Sequence, residues 1–383
     1  MREHMLNSPF KKRAVRGADL QQVRFSEEYC RPRALTRRIV LLLERTVKIL
    51  IFAALGTADL LHAQTMISTN ATATPESLAS LERNGKREAR VHDPSTIVKC
   101  KDEYWFFATG VGVNSWRSKD LLHWERGPRV FDTPPGWITN VVVGQRGYFW
   151  APDVIFIEGQ YLLFYSVSKF GVNTSAIALA SNPTLDPDDP KYRWTDCGIV
   201  IQSGRNYNFN AIDPALTKTP DGSLWLSFGS FWSGIKLIRL DPLTGKRLAP
   251  DSPIHSLART KAIEAPFIYR HGEFYYLFVN WDICCRGVDS TYNIRVGRSR
   301  EITGPYLDKE GNDLAHGGGT LFLGTDEAFI GPGHAGILED SGKFWFSCHF
   351  YDGTQRGVSK LAVRPVRWNS DGWPALDAIA SGE

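Results

Sequence analysis

Beyond residue 90 the chain alternates short apolar runs with turn residues, and the same arrangement returns five times. Each unit opens with a Pro- or Gly-containing anchor and a short apolar strand. It passes through a turn and continues into a strongly aromatic strand. The anchors are "HDPS" (92–95), "APD" (151–153), "IDP" (212–214), "EAP" (264–266) and "GPGHAG" (331–336). The aromatic strands are "YWFFAT" (104–109), "YLLFYSV" (161–167), "LWLSFGS" (224–230), "FYYLFVN" (274–280) and "FWFSCHF" (344–350). Asp102-Glu103, Glu158-Gly159, Asp221-Gly222, His271-Gly272 and Ser341-Gly342 mark the turns before them, which are hairpin signals between β-rich runs. A third run follows each hairpin, as in "SAIALASN" (175–182), and several lead on to a Trp- or Tyr-bearing segment suited to an outer strand. No segment sustains a helical period. The pattern predicts an all-β fold, a five-bladed β-propeller, over residues 91–383.

In a propeller the innermost strand of every blade faces the central axis. Polar groups at the strand mouths therefore converge. The five mouths offer Asp93, Asp153 beside Trp150, Asp213, Glu264 and His334. Carboxylates held close together raise the pKa of at least one member and leave the others ionised. An acid and a base facing each other across a cavity are the equipment for glycoside hydrolysis. An Asp-Pro pair alone usually only opens a turn, so the weight lies in the shared placement.

The segments before residue 91 change the reading of charge. Residues 1–63 hold 12 of the 45 Lys and Arg but only 6 of the 41 Asp and Glu. Without them the chain is slightly acidic, which removes the case for a nucleic-acid partner. Lys48 followed by "ILIFAALGTADLLHA" reads as a signal peptide cut between Ala63 and Gln64, with an uncleaved anchor helix as the alternative. Residues 64–90 read as a polar linker, with a short helix capped by Thr74. Cleavage would leave no stable membrane span and a secreted or periplasmic protein, expected to be a monomer. Six cysteines include Cys30 in the leader; the adjacent Cys284 and Cys285 form either a vicinal disulfide or two buried thiols.

With these residues assembled, the chain resembles glycoside hydrolase family 43, and within it the endo-α-1,5-L-arabinanases. The likeness spans roughly residues 91–375 and rests on ordered motifs: "VHDPS", "FWAPD", "YSVSKFGVNTSAIALA", "NAIDPAL", "SFGSFWSGIKL", "IEAPFI", "CCRGVDSTYNIRVGRS", "GPYLDK" and "GPGHAG". It implies an inverting mechanism on linear arabinan, including arabinan side chains of pectin. Asp93 would be the general base and Glu264 the general acid. Asp213 would raise the pKa of Glu264 and orient it. His334 would lie beside a hydrated metal, usually calcium, with sodium or chloride as rivals. The implied cleft comprises Asp93, Trp150, Phe170, Gly171, Asn210, Ala211, Ile212, Asp213, Ser230, Phe231 and Trp232, with Gly171 letting the chain approach closely. Phe209 replaces a common Trp, which leaves endo against exo action open. An α-L-arabinofuranosidase or β-xylosidase of the same family is the near alternative. A non-catalytic carbohydrate-binding propeller is the distant one, and it predicts loss of a carboxylate.

Overall fold

The computed structural model describes residues 90–377, so the leader, most of the linker, the expected cleavage site and the Thr74-capped helix lie outside the described residues. Five antiparallel sheets follow one another along the chain. Blade 1 comprises Val98–Cys100, Glu103–Ala108, Asn114–Ser118 and Glu125–Arg126. Blade 2 comprises Tyr148–Ile157, Gln160–Val167, Ser175–Asn182 and Thr195–Ser203, with the two-residue strand Gly110–Val111 added along Tyr148–Phe149. Blade 3 comprises Ala215–Lys218, Leu224–Phe228, Ile235–Leu240 and His255–Ala258. Blade 4 comprises Ile263–His271, Phe274–Trp281, Asn293–Ser299 and Thr320–Leu323. Blade 5 comprises Phe329–Asp340, Lys343–Asp352, Val358–Trp368 and Pro374–Leu376. The five-bladed β-propeller is as the hairpin pattern predicts.

The hairpin turns agree with that pattern in three blades and slip by one residue in two. In blade 1 Cys100 pairs with Glu103, so the turn is Lys101-Asp102, and in blade 4 His271 pairs with Phe274, so the turn is Gly272-Glu273. The reason is φ. A tight hairpin needs left-handed residues at its tip, and Lys101 (φ 56°) and Gly272 (φ 57°) supply them.

Apolar side chains fill the spaces between blades, so each blade is bound to two neighbours. Trp105 and Phe107 of blade 1 pack with Leu163 and Tyr165 of blade 2, and Phe164 and Leu179 of blade 2 pack with Leu226 and Ile238 of blade 3. Leu237 of blade 3 meets Leu277 of blade 4, and Phe278 of blade 4 meets Phe346 of blade 5. The ring closes where Val91, Ile97 and Phe106 pack on Leu338 and Trp345 of blade 5. Burying each such side chain contributes about 1.5–3 kcal/mol relative to exposure.

At the mouth of each innermost strand the backbone turns left-handed. Asp93 (φ 53°), Ala151 (φ 42°), Asp213 (φ 57°), Ala265 (φ 52°) and His334 (φ 58°) stand at the same point of the five blades. In blades 2, 4 and 5 the ladder slips there by one residue, between Trp150 and Asp153, Glu264 and Phe267, and Gly333 and Gly336. These are β-bulges, which bend a strand and re-aim a side chain. Pro94, Pro152, Pro214 and Pro266 follow the left-handed residue in four blades. Proline has no N–H, so no donor is stranded where pairing is interrupted.

This frame corrects the placement of Asp153, which the sequence pattern put at the axis with Asp93 and Asp213. Ala151 holds that point in blade 2. Asp153 lies two residues deeper and is buried. Its Oδ1 accepts from the Thr96 N–H of blade 1's leading segment (2.9 Å), and its Oδ2 accepts from the Leu216 N–H of blade 3 (2.7 Å). It ties three blades together, and burial pushes its carboxyl up to about 6 against those hydrogen bonds. Asp153→Ala strands two buried N–H groups. It should lower unfolding free energy by about 2–5 kcal/mol in denaturant titration, without removing any axial carboxylate.

Candidate active site

The left-handed turn points each backbone N–H sideways, and the preceding blade captures it. Asp93 N–H donates to His349 Nδ1 of blade 5 (3.1 Å), and Ala151 N–H donates to Thr109 Oγ1 of blade 1 (2.8 Å). Asp213 N–H donates to Ser166 Oγ of blade 2 (3.0 Å), and His334 N–H donates to Asn280 Oδ1 of blade 4 (3.1 Å). The acceptors occupy equivalent places at the ends of the second strands. In blade 3 that place is Gly229, which has no side chain. Ala265 N–H therefore donates to the Asp213 carboxylate itself (Oδ2, 3.1 Å). This carboxylate is thereby carried to the side of Glu264.

Asp93, Asp213, Glu264 and His334 are brought together around the axis. Asp93 is surrounded by donors. His92 Nδ1 lies 2.7 Å and His334 Nδ1 3.0 Å from its Oδ1, and the Thr109 hydroxyl donates to its Oδ2 (2.6 Å). Burial alone would raise its pKa, but the charges of His92 and His334 outweigh burial and hold the carboxyl well below its usual range. It is ionised. Asp213 goes the other way. Burial first, then the charges of Glu264 and Asp93, push it up to about 8, while His334 pulls against them. The raised carboxyl at the axis is thus Asp213, which stands beside Glu264. Glu264 is held by two hydroxyls: Tyr292 donates to Oε1 (2.6 Å) and Ser230 to Oε2 (2.7 Å).

The donors at His334 do not fit a directly bound calcium ion. Calcium takes six to eight oxygen ligands, whereas this corner offers the imidazoles of His92, His334 and His349 and one carboxylate already engaged. Burial pulls the His334 pKa down, but the facing carboxylates, Asp93 first, push it up to about 9, and an imidazolium does not coordinate a cation. Its ring nitrogens are buried without aligned hydrogen-bond partners, Nδ1 lying near Asp93 but off the bond line. That arrangement suits a water or an anion.

The cleft residues divide into surface and support. Trp150 and Phe170 stack obliquely, with ring centroids 4.8 Å apart, and Phe170 is 78% exposed. Phe231 is half-buried and Trp232 is 44% exposed. Asn210 and Ala211 are buried behind the wall. The Asn210 amide oxygen accepts from the Ser175 hydroxyl (2.7 Å), and the Ala211 N–H donates to Ser203 Oγ (2.9 Å). Ile212 is buried beside Asp213. Gly171 is exposed, and a Cβ there would meet no atom within 4 Å. Its left-handed φ of 78°, not crowding within the protein, calls for glycine.

Sequence reasoning missed Tyr292, Thr109, Ser166, Asn280, His92 and His349. A signal existed for four of them: each of Thr109, Ser166, Asn280 and His349 is a polar residue in an otherwise apolar second strand. Cys284 and Cys285 are joined as a vicinal disulfide, whose Cys285 N–H donates to Tyr351 Oη (2.8 Å), while Cys100 and Cys348 are buried thiols.

An ionised carboxylate and a protonated one held at one propeller axis are what carbohydrate-cleaving hydrolysis requires. Comparison with known proteins agrees. The sequence model for glycosyl hydrolases family 43 matches residues 84–374. An extracellular exo-α-(1→5)-L-arabinofuranosidase of Cellvibrio japonicus is 42% identical over 76% of this chain and 88% of its own length. An extracellular endo-α-(1→5)-L-arabinanase of Bacillus subtilis is 41% identical over 76% and 89%. The solved structure of a Cellvibrio cellulosa α-L-arabinanase with arabinohexaose superposes with a TM-score of 0.73 at 40% identity, covering 76% of this chain and 96% of that one. The chain belongs to glycosyl hydrolases family 43 and is a glycoside hydrolase. Replacing Tyr292 by Phe removes one hydroxyl from Glu264. It should lower kcat roughly ten- to a hundredfold with little change in oligosaccharide affinity, measured by initial rates and calorimetry.

Proposed function

We propose that the chain cleaves α-1,5-L-arabinofuranosidic bonds within linear arabinan, in endo fashion and with inversion. The observation that carries this reading is the division of protonation at the axis, with Asp93 ionised and Asp213, beside Glu264, holding its proton up to about 8. Asp93 takes a proton from water as the water attacks the anomeric carbon. Glu264 protonates the departing sugar oxygen, oriented by Tyr292 and Ser230 and supplied with a proton by Asp213. Trp150, Phe170 and Trp232 offer ring faces to the apolar sides of furanose units. Exposed aromatics on loops of two blades, Phe170 in one and Trp232 in the next, support a cleft that continues past the cleavage point in both directions.

Relatives at similar identity are named for endo and for exo action. A product profile on linear arabinan decides between them: a ladder of mid-length oligomers early in the reaction is expected, and release of a single short product from chain ends would overturn the endo reading. Glu264→Gln should reduce kcat by about 10²–10⁴-fold, and proton NMR of the first product should give the inverted anomer. A product with retained configuration sinks the roles given to Asp93 and Glu264. Activity should fall as pH rises through about 8, where Asp213 loses its proton.

Two further parts belong to the same proposal. The printed names of the relatives include "extracellular", which supports export with the leader removed. Calcium is the ion that the family resemblance carries, held through water rather than by His334 directly, and no step passes through it. Dialysis against a chelator should lower kcat or melting temperature, with calcium restoring the loss; no change in either would overturn the ion.

A further inference from the structure

A second recognition feature lies beside the cleft. A depression of about 450 Å³ adjoins Trp232 and is lined by Arg259, Lys261 and His316. Two of the three chain segments that form it lead to Glu264. Ser230 donates to Glu264, and Trp232 follows two positions later. Lys261 precedes Glu264 by three positions, and the segments are joined by the Phe231 N–H to Ile263 carbonyl bond (2.7 Å). Both segments are thereby tethered to Glu264, the residue given the acid's role, from whose side the leaving portion of a substrate departs.

Its charge is uncompensated. Arg259 and Lys261 are exposed, and among the described residues neither side chain has a hydrogen-bond or ion-pair partner. Arg259 adds to the burial that lowers the pKa of Lys236, whose ammonium donates to the Ser233 carbonyl and to Ser256 Oγ (both 2.9 Å). The one carboxylate in contact with the lining is Asp313, 3.5 Å from His316 Nδ1. A neutral furanose chain gains nothing from unpaired cations beside an exposed indole. A carboxylate does: guanidinium offers a planar fork and ammonium a point charge, while the Trp232 ring takes a sugar face.

We propose that this depression is a subsite for an anionic sugar unit, one that bears a carboxylate, attached to the leaving side of the chain held in the cleft. It rests on reading the cleft as an arabinan site. Arabinan oligomers oxidised at the reducing end carry a terminal open-chain aldonate, and oligomers reduced there carry the matching neutral alditol, so this pair serves as the probe. At ~20 mM ionic strength kcat/KM on the oxidised oligomer should exceed that on the neutral one by about three- to tenfold, through KM, and the gain should vanish near ~0.5 M NaCl. The double variant Arg259→Gln/Lys261→Gln should erase the gain and leave cleavage of the neutral oligomer unchanged.

Equal rates on the two oligomers, or a gain that survives in the double variant, overturn the proposal. Free acetate tests the other source of the same chemistry: no inhibition beyond that of chloride supports a sugar-linked carboxylate, whereas competition matching the oxidised oligomer overturns it. Affinities of both oligomers for the Glu264→Gln variant are measured alongside. Failure to cleave either one then counts against the arabinan reading, while the affinity ratio still decides the subsite.

Discussion

A backbone N–H in a left-handed turn, aimed at the neighbouring blade, is the contact on which the rest of the molecule depends. It occurs once per blade, at Asp93, Ala151, Asp213, Ala265 and His334, and each time a side-chain acceptor of the preceding blade receives it. The turn is costly for a residue with a side chain, and Asp and His are among those that tolerate it best. The hydrogen bond offsets that cost and sets the angle between blades. The same turn swings the side chains of Asp93, Asp213 and His334 toward the axis, and those of Trp150 and Glu264 one residue earlier. Architecture and chemistry are thus set by one backbone device.

The electrostatics follow from which groups that device makes neighbours. Asp93 receives two imidazoles and a hydroxyl, so its negative charge is strongly favoured. Asp213 receives a second carboxylate and a single amide N–H, so its charge is disfavoured. Neither carboxyl is unusual in itself. Burial is common to both and acts in the same direction on each. The opposite outcomes come from the neighbours supplied by blades 5 and 1 on one side and blades 3 and 4 on the other.

Much of this was legible in the chain. Apolar and aromatic runs separated by Gly and Asp give five hairpins, and convergence of their mouths gives Asp93, Asp213, Glu264 and His334. What was not legible depended on register. In the sequence Asp153 stands ahead of an apolar run as Asp93 and Asp213 do, and only the one-residue bulge after Trp150 shows that Ala151 takes the axial place. Tyr292 lies 28 positions from Glu264 and has no local pattern to announce it. Asn210 and Ala211 adjoin an axial residue in sequence but face inward, because they are hydrogen-bonded to Ser175 and Ser203 of blade 2. Sequence adjacency to the site did not mean exposure to it.

Gly229 has a consequence for how this scaffold can change over time. An added Cβ there would come within 2.6 Å of the Gly234 carbonyl oxygen, so the position is closed to the serine or threonine that serves in other blades. Asp213 consequently fastens blade 3 to blade 4 while its carboxyl stands beside Glu264. A descendant that abandoned hydrolysis for plain sugar recognition could exchange Glu264 for glutamine and keep its scaffold. It could not discard Asp213 so freely, since the joint between two blades would go with it. Drift away from catalysis is therefore asymmetric: the acid is expendable, and the carboxylate beside it is retained by architecture after its chemistry is no longer needed.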